Sequence, residues 1–595
     1  MKNIKKYYEN NRDLLEKQIT KLKTIIGKLL ALRILGVLVI VAVIVLRIFT
    51  DFPGNKLIWL IPLIISGVSL VFDMFISDRI TALEIPLTWY KNALLRIEGK
   101  WRGRGMIHVP DLSDHPFAAD TDIFGEGSLM DLICRARTVK GTDTLGSWLS
   151  VCATEKEILR RQKAITELAS HPDFIESVIC MEELGAYDKT GAVLEGFSSR
   201  PPVFSGRSGY FFSIAAFLCS FALILSFALW FAGIWTIVVP GVVFIPLILL
   251  HILTMNKVSS ISSSLKAAAS EASSLDSIIR ILKNTNFKSE MMMEIKNSMC
   301  ENKDSAGTII RRLRNLTSLA ESANNQIWAF FAFILFQNLH IAVYTERFRR
   351  RYGGLIKTWI TRTGEIEALF SLTVFHQENP DSVFPVVEDT SVVSTNECRN
   401  PLFLPSQWEP VSLTLSNDMR IAIVSGSNMS GKSSLLRTLA LNYVLAGAGC
   451  CVTASSFRFR PGNLVCSIRV LDSTWRGISR FYAEVKKLKT ITENARNGSF
   501  VFYLIDELFS GTNSEDRIQG ARRLTRVLLE SDSLGIMTTH DLAITSLEKE
   551  FGPNISNFHY SDRVENGELV FDYQIRPGKI ASSNAVLILE KEGII

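Results

Sequence analysis

The chain has 595 residues, 47% of them apolar and 21% charged, and a formal net charge of +6. That length exceeds one hydrophobic core, so three or four units are expected, and the small net charge argues against a histone-like or a strongly acidic partner. Nine cysteines occur without C-x-x-C pairs or metal-like His/Cys spacing. This argues against a disulfide framework and predicts small buried hydrophobes in a reducing compartment, the adjacent Cys450 and Cys451 among them.

Residues 1–28 read as a basic cytoplasmic helix and residues 29–76 as a first transmembrane hairpin. Leu29–Leu46 is apolar apart from Arg33, which is near enough to one end to snorkel. Leu57–Phe72 follows after the link Asp51–Lys56, which contains Pro53 and Gly54. The segment lacks a cleavage-site pattern, and its apolar stretches are paired and start late, which predicts a membrane anchor and not a signal peptide. Residues 77–207 read as the first part of a helical region, with apolar positions at three- and four-residue spacing such as Leu129, Leu132, Ile133 and Ile158, Ile165, Leu168.

A second hairpin is expected over residues 208–256. No Asp, Glu, Lys or Arg lies between Arg207 and Lys257, enough chain for two ~20-residue spans. The turn is expected near Gly233–Trp235, with Trp230 and Trp235 at the interface. Nine Lys/Arg precede or include Arg33, and the link region adds only Arg47 and Lys56. That bias predicts a multi-pass protein with both termini and the large polar regions in the cytoplasm. Residues 257–375 read as a second helical part, in which Ser259–Ser274 suits a polar helix or a linker. Trp328–Val343 is apolar but contains Gln337, Asn338 and His340; it is too short and polar for a span and predicts a buried helix. Five prolines between Pro380 and Pro410 forbid a long helix and predict a linker over residues 376–410.

Residues 411–595 carry the chemistry. The apolar strand candidate Arg420–Ser425 runs into Gly426-Ser427-Asn428-Met429-Ser430-Gly431-Lys432-Ser433, then into a helical stretch beginning at Ser434. This is a G-x-x-x-x-G-K-S loop in its strand–loop–helix setting. Its backbone N–H groups and helix N-terminus suit phosphate oxygens, Lys432 the terminal phosphates and Ser433 a Mg²⁺ ion. The apolar run Phe500–Ile505 ends in Asp506 and Glu507, which suit metal binding and orientation of the attacking water. A further strand ends at His540, a candidate γ-phosphate sensor. ATP and Mg²⁺ are the expected cofactors, and Glu507, His540 and Lys432 the expected catalytic groups.

Together these residues resemble the MutS family of DNA mismatch-repair ATPases. The phosphate loop looks like that family's G-P-N-M-x-G-K-S, with Ser427 at the Pro position. Asp506–Ser514 is similar to its D-E-x-x-x-G-T-S loop, and Thr538-Thr539-His540 to its T-H ending. Gly477–Glu484 resembles the signature helix, which implies that Ser479 approaches the γ-phosphate of an opposite subunit; its residue type equally suits a helix N-cap. Trp408 falls where the family places an aromatic on adenine, and Tyr573–Gly593 resembles its dimer-contact tail. Upstream, Ser128–Leu132, Thr138–Gly141, Trp148, Arg161-Gln162 and Glu365–Leu372 follow the order of the family's helical core, with Asp143 and Asn400 departing from it. Nothing resembles the mismatch-reading domain with its F-x-E wedge.

The resemblance implies an α/β ABC-type P-loop ATPase domain at the C-terminus, preceded by an all-α MutS-like core/lever domain with two transmembrane helical hairpins. It implies a homodimer with composite ATP sites. Two readings stand. One is a membrane-anchored, mismatch-repair-related ATPase with DNA as partner. The other is a membrane-tethered mechanochemical ATPase acting on a protein or lipid partner. The basic clusters Arg347–Arg351 and Arg311–Arg314 bear on that choice. No path for a transported small molecule is evident.

Overall fold

A computed structural model describes residues 2–49, 60–103, 105, 115–181, 192–204, 206–300, 306–323, 328–407, 409–427, 430–468, 480–496, 498–509, 514–565 and 568–579. The basic segment at the start is not a separate element. No proline interrupts it, and helix α1 (Lys2–Phe49) runs from it straight into the apolar stretch. Helix α2 (Leu60–Ile97) packs antiparallel along α1, so the expected boundaries at residues 28 and 77 both fall inside helices. Tyr8 meets Tyr90, and Ile19 packs with Ile80 and Leu87. Ion pairs Lys91–Glu16 (2.9 Å) and Lys23–Glu84 (3.1 Å) flank these contacts. Such exposed pairs add only ~0.2–1 kcal/mol each, so the buried apolar side chains hold the pair together. Arg33 is anchored by Asp73, one residue beyond the expected second span, at 2.5 Å. The link Asp51–Lys56 lies outside the described residues.

The helical core comprises α3 (Leu129–Ile133), α4 (Val139–Ser150), α5 (Glu155–Ala169), α6 (Pro172–Ile179) and α7 (Ala192–Ser199), and continues after the second apolar hairpin. Ser128 caps α3 and Thr138 caps α4, each accepting from a backbone N–H three residues on. The hairpin itself is α8 (Gly206–Phe231) and α9 (Val238–Asn284), with Gly233 in the left-handed region at the turn. Helix α9 carries on past residue 256, so Ser259–Ser274 is helix and not linker. Among the described residues, three helical stretches are long and apolar enough to cross a membrane: Ile4–Ala42, Ser208–Phe231 and Val238–Ala269.

Helices α10 (Glu290–Cys300) and α11 (Ala306–Ser322) then lead to a segment that departs from expectation. Trp328–Val343 is not one buried helix. A short helix, α12 (Ala329–Ile334), ends at Leu335, Phe336 takes φ 50°, and α13 (Gln337–Glu378) begins there. Trp328, Phe330, Phe331 and Leu335 are exposed. The helix break turns these aromatics outward, which periodicity alone could not show. The 42-residue α13 forms the spine of the core against α4, α5, α7 and α9.

The prolines after α13 do not leave a bare linker. They stop helices but do not exclude strands: β1 (Val386–Val387), an edge strand that begins after Pro385, and β2 (Val393–Cys398), an inner strand without proline, join β3 (Val411–Leu415) and β5 (Ser456–Phe459) in a four-stranded sheet of order β1-β5-β2-β3. The second sheet has six strands in the order β10-β9-β4-β8-β7-β6: β4 (Ile421–Ser425), β6 (Asn463–Ser467), β7 (Val501–Ile505), β8 (Ser533–Thr539), β9 (Ile555–Glu565) and β10 (Glu568–Pro577). Five of its strands are parallel and only β10 runs antiparallel. Strands β4, β7 and β8 are buried at every residue, as suits a sheet covered on both faces. Helices α14 (Lys432–Gly447), α15 (Arg480–Arg496) and α16 (Ser514–Leu529) provide the cover, and α17 (Leu547–Phe551) precedes β9. Cys450 and Cys451 are buried thiols, whereas Cys180 is exposed.

Candidate nucleotide site

Parallel pairing sets the site. Ser425 is in register with Thr539, and Ile505 with Met537, so the carboxyl ends of β4, β7 and β8 share one edge. Ligands bind at this edge in open α/β sheets. The loop after β4 reaches α14 through Gly431, whose φ of 101° suits glycine alone among common residues. Gly426 is equally constrained: a Cβ there would stand 2.7 Å from Ser430 Oγ.

Lys432 is buried and donates to the carbonyls of Gly426 and Ser427, both at 2.8 Å. Two of its three N–H donors thus hold the loop, leaving one to point elsewhere. Burial pulls its pKa down, and the carboxylates of Glu507 and Asp506 oppose that shift. Ser433 Oγ donates to Asp506 Oδ2, which joins the two expected metal ligands directly. Ser434 lines the same cavity. The hydroxyls of Ser427 and Ser430 are buried without a partner among the described residues.

Thr538, on β8, is the residue that organises the carboxylates. Its hydroxyl donates to Asp506 Oδ1 and accepts from the Glu507 N–H at 3.0 Å. Sequence reasoning placed Thr538 in a motif but not in the site; a hydroxyl at the end of an otherwise apolar buried strand was the available signal. Glu507 has φ 52° and Phe509 φ 55°, conformations that cost a non-glycine residue about 1–2 kcal/mol. They are held by Thr538, by Leu508 N bonding Thr538 O at 3.3 Å, and by the buried Glu484, which accepts from the Phe509 N–H. His540 lies beside Glu507, its Nδ1 standing 3.7 Å from Glu507 Oε1.

A cavity of 540 Å³ opens over these groups, lined by Gly431, Lys432, Ser433, Glu507 and also by Phe403, Tyr560 and Tyr573. No spacing in the sequence pointed to the three aromatics. Tyr573 arrives because β10 folds back on β9, and its ring lies 3.2 Å from where a Gly431 Cβ would be. Asn428, Met429, Trp408 and Ser479 lie outside the described residues. The size of the cavity, the cradle free of a Cβ at Gly431 and the two unpartnered hydroxyls fit a nucleotide's phosphates. The Ser433–Asp506 pair is a hard oxygen set that fits Mg²⁺.

The helical core grips this domain at the end of α14 remote from the phosphate loop. Arg161 stacks on Trp148 at 3.9 Å and donates to Ala448 O at the end of α14. The basic residues Arg347–Arg351 are engaged at the base of the α8–α9 hairpin: Arg347 lies over Tyr210, Arg349 pairs with Glu346, and Arg350 donates to Phe204 O. Arg312 bonds the Tyr352 hydroxyl.

Residues 422–594 match the family model for MutS domain V, a P-loop ATPase domain. The chain is 31% identical over 193 residues to DNA mismatch repair protein MutS 2 of Halobacterium salinarum, covering 32% of this chain and 22% of that protein. It is 31% identical over 184 residues to DNA mismatch repair protein MSH3 of Yarrowia lipolytica, covering 30% and 18%. With Endonuclease MutS2 of Carboxydothermus hydrogenoformans it shares 30% identity over 225 residues, covering 36% and 27%. The matched part of the chain therefore spans little more than a quarter of these curated relatives at most.

Proposed function

We propose that this chain, which belongs to the MutS family through its last third, is a membrane-anchored ATPase that hydrolyses ATP at a composite site between two copies and acts on DNA. The observation that carries the hydrolytic part is the junction of Ser433, Asp506, Thr538 and Glu507 at one sheet edge. Bound Mg²⁺ would neutralise charge on the β- and γ-phosphates. Ser433 and Asp506 would hold that ion, and Lys432 would turn its remaining donor to the phosphates. Glu507, fixed by its own backbone bond to Thr538, would orient the attacking water, and His540 would stand beside it at the terminal phosphate. Ser479 and Trp408 keep the roles that the resemblance implies: the partner's γ-phosphate for one and adenine for the other.

Anchoring through the α8–α9 hairpin rests on two apolar stretches of spanning length, and anchoring at the α1–α2 hairpin on one, in α1; among the described residues α2 supplies none. The engagement of Arg347–Arg351 at the hairpin base supports a headgroup-level role for that cluster, so DNA would meet another surface. The similarity to DNA mismatch repair proteins makes DNA the first partner to test. In a titration of the detergent-solubilised chain with duplex DNA at several salt concentrations, with and without nucleotide, salt-sensitive and nucleotide-dependent binding is expected. Binding that is undetectable even at low salt would overturn the DNA part and leave the mechanochemical reading.

A further inference from the structure

We propose that residues 328–336 form a re-entrant element that dips into the acyl region of the bilayer beside the α8–α9 hairpin and returns to the side it came from. The inference rests on the reading that this hairpin spans a membrane. From Ile327 to Thr345 the chain has no charged residue. Yet Phe330, Phe331 and Leu335 are exposed, as are Phe217, Phe221, Ile248 and Ile252 on the hairpin helices whose Ser220 and His251 bond Ile334 and Phe333. Water is a poor match for such a continuous face, and acyl chains are a good one.

The backbone makes the stronger argument. A helix broken inside a bilayer must satisfy its freed carbonyls from protein groups, because no water is there to do so. At the break after α12, Phe333 O accepts from His251 Nε2 at 2.8 Å, and Ile334 O accepts from Ser220 Oγ at 2.6 Å. His251 is also sandwiched between the rings of Phe333 and Phe336, at 4.0 and 4.1 Å and nearly parallel to both. The polar Gln337 is occupied in turn, accepting from Trp328 Nε1 and donating to Leu319 O. That last bond puts the end of α11 beside the start of α13, and Arg312 of α11 bonds the Tyr352 hydroxyl of α13 farther out, so α11 enters and α13 leaves on one side.

Depth follows from helix rise. Arg347 over Tyr210 and Lys257 over Phe204 and Phe212 mark the charged base of the hairpin. Ser220 stands ten residues beyond Tyr210, or ~15 Å at 1.5 Å per residue. That is about half of a ~30 Å hydrocarbon core. On α9, His251 lies only six residues, or ~9 Å, from Lys257, so the turn at Phe336, on which His251 stacks, lies between about a third and a half of the way into the core.

The test uses the full chain in nanodiscs of phosphatidylcholine and phosphatidylglycerol. Spin labels are placed one at a time by Phe331→Cys, Phe330→Cys, Leu225→Cys on the exposed face of α8, and Thr358→Cys on the exposed side of α13. The background is Cys180→Ser, with its own labelled signal subtracted. Collisions with oxygen, which partitions into lipid, are compared with those of a water-soluble nickel chelate. Positions 330, 331 and 225 are expected to favour oxygen several-fold, and 358 to favour the chelate. Chelate access at 330 and 331 with oxygen preference at 225 would overturn the re-entrant element and leave the spanning hairpin standing. Chelate access at all of them would sink the spanning reading itself. Shielding of 330 and 331 from both reagents would show a face covered by a second copy and not by lipid, which also overturns the proposal.

Discussion

Ser433 and Asp506 are 73 residues apart in the chain and joined by a hydrogen bond from Oγ to Oδ2. One closes the phosphate loop and the other follows β7, the apolar strand one removed from β4 in the sheet, so the bond marks where a single cation would sit. Asp506→Asn should lower Mg²⁺-dependent turnover on the order of 100-fold, and chelation by EDTA should abolish it in the wild type. Glu507→Gln should retain ATP binding while losing turnover to a similar degree, and Lys432→Ala should weaken nucleotide binding itself. Steady-state ATPase assays beside nucleotide-binding titrations separate these effects. Wild-type turnover in Glu507→Gln would remove it from the water-orienting role.

Thr538 is the prediction that the tertiary structure adds. Thr538→Val keeps the shape but removes a hydroxyl that serves both Asp506 and the Glu507 backbone. Losing it leaves buried polar groups unpaired at about 1–3 kcal/mol. Turnover should fall about 10- to 100-fold, by the same energy, with little change in secondary structure by circular dichroism. An unchanged kcat would show that Asp506 and Glu507 hold their places without it.

The composite site is tested by mixing. Ser479→Ala chains and Lys432→Ala chains should each be inactive alone. Mixed dimers carry one intact site and should recover part of the ATPase activity. Absence of recovery in demonstrated mixed dimers would remove the role of Ser479 across the interface and leave it as a helix cap.

In the helical core, Gly141 lies against the buried carboxylate of Glu367: a Cβ at this position would meet Oε2 at 2.1 Å. Gly141→Val should therefore destabilise the fold by about 2 kcal/mol or more. Gly146→Ala, on the same helix, would meet only Phe124 at 3.6 Å and should be neutral or mildly stabilising. Urea unfolding of both variants decides the point. Equal midpoints would mean that α4 can move away from α13.

Membrane topology is checked at the hairpin turn. A cysteine at Gly233 should react with an impermeant maleimide from the outer face of sealed vesicles or cells, and one at Lys357 only after permeabilisation. The reverse pattern would invert the orientation expected from the Lys/Arg bias.

The sequence by itself determined the chemistry of the site and the nature of its elements. A phosphate loop must be contiguous, because its backbone N–H groups act together, so Gly426–Ser433 was legible as a string. Long uncharged runs were legible for the same local reason: Ser208–Asn256 has no Asp, Glu, Lys or Arg along its length. Only the tertiary structure decided which distant groups meet. Thr538 becomes an organiser of Asp506 and Glu507 because β8 lies between β4 and β7 in the sheet. Tyr573 reaches the cavity because β10 turns back on β9, and Glu367 grips Thr138 across 229 residues. The exposed aromatics of α12 look outward because the helix breaks at Phe336, a choice fixed by His251 and Ser220 on other helices. Local pattern reports what each segment can do with water and with its own neighbours. Strand order, helix breaks and long-range hydrogen bonds are settled by packing, and packing belongs to the whole chain.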